Sequence, residues 1–111
     1  MSPMSYDENL AQRLKQAFGK TKVVEKHMFG GLCLMVRGHM CCGIVGDKLM
    51  VRVGPKQYEA ALKMKNTQPM TFTGKPMKGM VYVTPEGCNS VPKIVGWLKL
   101  ALLFNATLAA K

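Results

Sequence analysis

The stretch GLCLMVRGHMCCGIVGDKLMVRVG, Gly31 to Gly54, holds three apolar runs separated by two dipeptides that begin with glycine. The runs are Leu32 to Arg37, Met40 to Val45 and Lys48 to Val53; the breaks are Gly38-His39 and Gly46-Asp47. Glycine at the first central position of a two-residue loop suits a type II′ turn, whose twist matches that of paired strands. The stretch therefore predicts an antiparallel meander of three strands. Two-residue turns also set the register. Val36 falls opposite Cys41, Met35 opposite Cys42, Val45 opposite Lys48 and Ile44 opposite Leu49. Side chains alternate between the faces of a strand. One face then carries Cys33, Met35, Cys42, Ile44, Leu49, Val51 and Val53. Apart from Arg37 at its end it is apolar, so it is expected to face the core. The other face carries Leu32, Leu34, Val36, Cys41, Gly43, Lys48, Met50 and Arg52, with Arg52 level with Cys41.

The same stretch places His39, Cys41 and Cys42 within four residues. The predicted register separates Cys41 from Cys42 onto opposite faces and leaves His39 in a turn. Cys33 and Cys42 become diagonal neighbours about 7 Å apart, too far for a disulfide without distortion. No C-x-x-C pair offers zinc spacing. The four cysteines, with Cys88, read as small core hydrophobes, and no metal or cofactor is expected. Metal binding or thiol redox sensing is the competing reading. Met1 to Leu10 is polar and carries Asp7 and Glu8 where a signal peptide would need an apolar run, so a cytoplasmic location with reduced thiols is expected.

Outward from the meander, Ser5 and Glu8 form an S-x-x-E capping box for a first helix. Leu10, Leu14, Ala17 and Phe18 line one face of it, and Gly19 is the expected C-cap. Lys22 to Met28 reads as a short strand and Phe29-Gly30-Gly31 as a turn. On the other side, Gly54-Pro55 opens a helix with Tyr58, Ala61 and Leu62 on its apolar face, ending near Lys65. Met70 to Thr73 and Lys78 to Thr84 read as strands about a turn at Gly74-Lys75-Pro76, followed by a loop at Pro85-Glu86-Gly87. Asn89 or Ser90 caps a last helix with Pro92 in its first turn. The apolar run Ile94 to Ala110 is interrupted by Lys99 and Asn105 and reads as a packed amphipathic helix, not a membrane span. The order gives an α+β fold: an antiparallel sheet with N- and C-terminal helices and one internal helix.

The chain has 111 residues, 48% of them apolar, which suits one domain with a real core. Its formal net charge of +10 favours an acidic partner: nucleic acid, an acidic protein face or a phosphorylated ligand. Lys48, Arg52, Lys56, Lys63, Lys65, Lys75 and Lys78 concentrate that charge against one acid, Glu59. Only Tyr58 and Phe72 are aromatic in that segment, too few for a stacking platform. Six acids and two histidines assemble neither a carboxylate pair nor a nucleophile with its base, and G-x-G-x-x-G, P-loop and H-E-x-x-H patterns are missing, so no enzyme is expected. The candidate polar site is an anion site at the strand-to-helix junction. There Arg52, Gly54 and Lys56 adjoin a helix start, and Lys75 and Lys78 flank a turn that would fold nearby. A solvated basic edge is the plainer reading of the same residues.

Four segments carry a family resemblance: SYDENLAQRL, FGG, MVRVGP followed by YE, and KPMKG followed by VYV. With the Trp-bearing last helix, they make the chain from about Met4 to Lys111 resemble the TfoX/Sxy N-terminal domain family. The resemblance implies a strongly bent antiparallel sheet with helices, of the YgaC/TfoX-N-like, secretion-chaperone-like kind. It also implies a transcription-related role, since TfoX/Sxy proteins regulate natural competence together with the cyclic-AMP receptor protein. The chain ends at Lys111 without the second, helical domain of full-length TfoX proteins, so the resemblance is to a stand-alone N-terminal domain. Arg52, Gly54, Lys78 and Gly79 match the family's pattern, and no catalytic residues come with it. The expected activity is that of a small interaction module with a protein partner, as a monomer or homodimer. Direct low-specificity binding of nucleic acid or another anion through the basic segment 48–78 is the alternative.

Overall fold

The meander is present, and its second turn is the expected one. In the computed structural model Val45 pairs with Lys48 and Ile44 with Leu49, and Gly46 at φ 60° leads the two-residue turn between them. The structure describes residues 6–28, 30–72 and 75–109, with side chains throughout except at positions 28, 72 and 75–77. The elements are α1 (Glu8–Phe18), β1 (Val24–Met28), β2 (Gly31–Val36), β3 (His39–Val45), β4 (Lys48–Arg52), α2 (Tyr58–Leu62), β5 (Thr67–Phe72), β6 (Lys75–Val83) and α3 (Val91–Asn105). A 3-10 turn over Pro85–Gly87 precedes α3 where a plain loop was expected. The strands form one antiparallel sheet in the order β1-β2-β3-β4-β6-β5. The α+β architecture expected from the element order is therefore the one observed.

The first turn of the meander differs from expectation. It is Arg37-Gly38, not Gly38-His39, and both residues have positive φ, at 57° and 84°. That is the type I′ signature. Val36 pairs with His39 and Met35 with Met40, but Leu34 pairs with Cys42, so β3 carries one extra residue, Cys41, as a β-bulge. Beyond the bulge the pairing is one residue away from the predicted register. A one-residue slip moves every side chain of a strand to the other face. Leu32, Leu34 and Val36 accordingly join Ile44, Leu49, Val51, Val81 and Val83 in the core beneath α1 and α3. Cys33 and Met35 go to the opposite face, in a second cluster with Met40, Met50, Met70 and Met80. There Gly43 leaves the space that the Met50 side chain fills: a β-carbon on Gly43 would lie 2.8 Å from Met50 Cε.

The ends of the helices show where local chemistry prevailed. Asp7 caps α1, accepting from the backbone N–H groups of Asn9 at 2.8 Å and Leu10 at 3.3 Å. The N-cap is thus Asp7 and not the expected Ser5, which lies outside the described residues. Gly19 closes α1 at φ 56°, its N–H donating to the Gln16 carbonyl. Helix α2 is shorter than expected. It starts at Tyr58, after Pro55 and Lys56, and ends at Leu62, where Thr67 Oγ1 donates to the Ala61 and Met64 carbonyls. Strand β5 begins earlier than predicted, at Thr67, and β6 begins at Lys75, so Lys75 and Pro76 are strand residues; Phe29 and Gly74 of the expected turns lie outside the described residues. Helix α3 has Ser90 at the N-cap position and Pro92 in its first turn, as expected.

Candidate functional site

The junction singled out in the sequence brings Arg52, Gly54, Lys56 and Lys78 to one end of the β4–β6 pair. The Val53 and Gly54 N–H groups both donate to the Gly79 carbonyl, at 2.9 and 3.0 Å. These donors are thus engaged within the protein. Gly54, at φ 86°, is buried so closely against Phe104 of α3 that a β-carbon would overlap the ring. Gly79, at φ 96°, would place one 3.3 Å from the Gly54 backbone. The two glycines are where strand, turn and helix approach most tightly. Arg52 is half-buried: it donates to the Met40 carbonyl at 3.4 Å and its guanidinium lies 5.4 Å from the centre of the Phe104 ring, a cation–π distance. Lys56 and Lys78 are exposed, and Lys56 precedes α2 instead of lying in its first turn. Lys75 pairs with Phe72 at the far end of β6, away from the Arg52–Met80 pair.

The cysteine cluster resolves differently from the register argument. The bulge turns Cys41 into the helix-side core beside Cys42, and both are buried. The hydrogen bond from the Cys42 thiol, with the Arg52 guanidinium nearby, holds the Cys41 thiol below its ordinary value, against the opposing effect of burial. Burial, and that same hydrogen bond, push the Cys42 thiol well up. Cys33 and Cys88 are also pushed up by burial. None of the four is in a disulfide. Among the described residues no three His, Cys, Asp or Glu side chains come together in a way that could hold a metal ion. His39 lies just after the first turn, and its Nε2 is 2.6 Å from the Ala109 carbonyl beyond α3.

A groove that the sequence reading did not anticipate runs along α3. One hollow of about 290 Å³ is lined by Val53, Pro55, Lys56, Gln57, Leu100, Leu103, Phe104 and Thr107. A second, of about 160 Å³, is lined by Met64, Lys93, Gly96, Trp97 and Leu100. The two share Leu100. Exposed large hydrophobic side chains among the described residues are Val24, Met64 and Leu103, and the last two stand on the walls of this groove, 49% and 69% exposed. Leu103 and Met64 thus leave apolar surface open to solvent along this face of α3. The sequence signal was Leu103 and Phe104 off the core stripe of α3. It was unreadable because α3, expected to be amphipathic, is instead apolar on nearly every side. No helix among the described residues is long and apolar enough to cross a membrane.

A family model described as the TfoX N-terminal domain matches residues 13–105, and the chain belongs to that family. No curated protein and no solved structure matches the chain. The family match spans the meander, the Gly54–Gly79 contact and the whole of α3.

Proposed function

We propose that this member of the TfoX N-terminal domain family is a regulatory interaction domain, without catalysis of its own, that binds another protein through the groove along α3. Family membership suggests a competence-related regulatory role at most, and we read that role as exerted by protein contact. The observation that carries the reading is the pair of exposed apolar side chains, Met64 and Leu103, on one groove between α3 and the turns before and after α2. An apolar strip left open at this site is complementary to a partner and not to solvent.

Leu103→Glu tests this. Leu103 is mostly exposed, so the fold is expected to tolerate the change within about 0.5 kcal/mol. Wild-type and variant protein are used to capture partners from native lysate at low and high salt. A discrete protein retained by the wild type at both salts and lost by the variant is the expected outcome. Nucleic acid retained only at low salt, equally by both proteins, supports the alternative of nonspecific binding through the basic segment and refutes the groove reading.

A further inference from the structure

We infer that the segment seated in the α3 groove is an acidic amphipathic helix of about three turns with two apolar anchors about two turns apart; this rests on the reading of the groove as a docking site. Its lining along α3 extends from Lys93 to Phe104, with Thr107 just beyond the helix, about 16 Å of helix at 1.5 Å per residue. The two hollows are centred about six residues apart on α3, hence about 9 Å. That is close to the spacing of side chains i and i+7 on one face of a helix, the pattern of helix-in-groove recognition.

Charge selects the sign of the partner. Each hollow has one charged residue in its lining, Lys56 in the larger and Lys93 in the smaller, and both are exposed. No carboxylate lines either hollow. Acidic residues flanking the apolar anchors would meet a cation at each end, which favours encounter and register. A second copy of this chain, itself at +10, brings like charge to the same place.

Gly96 supplies an independent observation. It is an exposed glycine inside α3, and a β-carbon built there would touch nothing within 4 Å. Glycine weakens a helix interior relative to alanine, and no contact inside this molecule requires it. It does line the smaller hollow, where the lack of a side chain lets a partner approach α3 closely.

The test uses the full chain and three synthetic helical peptides of 14 residues. One carries Leu at two positions seven apart with Glu flanking them; one has Lys in place of Glu; one keeps Glu and replaces both Leu by Ser. Binding is followed by anisotropy and by amide shift mapping. The acidic Leu peptide is expected to bind at least tenfold more tightly than either control, with shifts at Lys56, Leu100 and Leu103. The double variant Lys56→Glu/Lys93→Glu is expected to lose about tenfold and to reverse the charge preference. Gly96→Leu is expected to raise the melting temperature while lowering affinity, a split that a purely structural glycine would not give. Equal binding of the acidic and basic peptides, or of the Leu and Ser peptides, overturns the inference. So does a dimer in sedimentation that Leu103→Glu dissociates, because the groove would then be a self-interface. If no peptide binds but Leu103→Glu still abolishes capture of a discrete protein, the acidic-helix inference fails and the interaction-domain reading stands.

Discussion

Gly54 shows how one residue ties three elements together. Its positive φ lets the chain leave β4 while its N–H reaches the Gly79 carbonyl, and its missing side chain admits the Phe104 ring. Gly46 also has positive φ, but a β-carbon there would meet nothing within 4 Å. The pair separates backbone strain from steric overlap. Gly46→Ala is expected to cost about 1 kcal/mol from conformation alone. Gly54→Ala adds displacement of a packed ring and is expected to cost about 2–4 kcal/mol in urea denaturation. Equal losses for the two variants would show that the Phe104 contact contributes nothing. The importance of Gly54 was legible in the sequence as a glycine at a strand end. Its partner, fifty residues away at Phe104, was not, since no local pattern encodes that approach.

At the scale of elements, the β2–β3 hairpin and the end of α3 hold each other. Arg37 Nη1 donates to the Asn105 carbonyl at 2.7 Å, and Asn105 Nδ2 donates to the Val36 carbonyl at 3.0 Å. A cation against the last carbonyls of a helix is favourable both as a hydrogen bond and through the helix dipole. Asn105 is the one buried polar residue among those described, and these bonds satisfy it. Asn105→Ala leaves the Val36 carbonyl without that donor and is expected to destabilise by about 1–3 kcal/mol. Arg37→Ala is expected to speed amide exchange in the last turn of α3 before it affects α1. Uniform exchange rates across both helices in Arg37→Ala would refute the clamp. The contact also explains the turn. Arginine seldom adopts positive φ, and a bond to a carbonyl 68 residues away offsets that preference.

At the scale of the molecule, the sheet separates two cores of different chemistry. The helix side is built mostly of branched aliphatic residues and the other side largely of methionine and Cys33. Thiols lie in both, and their burial gives the fold a pH dependence. Cys33, Cys42 and Cys88 are raised from an ordinary value of 9.0, so the native state holds their protons more tightly than the unfolded chain does. A raised value contributes stability that is complete below the unfolded value and is lost as pH climbs through the folded one. Cys41, lowered, contributes with the opposite sign. With three against one, stability is expected to fall as pH rises above about 9. Cys42→Ala is expected to flatten that fall in melting experiments run from pH 8 to pH 10. An unchanged slope would show that Cys42 is not desolvated. The positive charge is likewise a property of the whole: basic residues adjacent in sequence are spread over the junction, the α2 end and the face of Tyr82, where Lys48 lies 5.5 Å from the ring.

Local chemistry in the sequence by itself determined the element order, the Gly46-Asp47 turn, the Gly19 and Pro92 boundaries and the family. Each depends on interactions within a few residues: glycine's access to positive φ, proline's fixed φ, and alternation along a strand. Tertiary structure decided between turns that were locally almost equivalent. Arg37-Gly38 prevailed over Gly38-His39, and a bulge at Cys41 followed, so β2 turned its other face to the helices and Cys41 came to lie beside Cys42. The groove belongs to the same category. Leu103 and Met64 are ordinary apolar residues along the chain, and only the packing of α3 against β4 and the turns on either side of α2 leaves them uncovered. The physical reason is range. Conformational preference is written residue by residue, whereas exposure depends on what every other element has already covered.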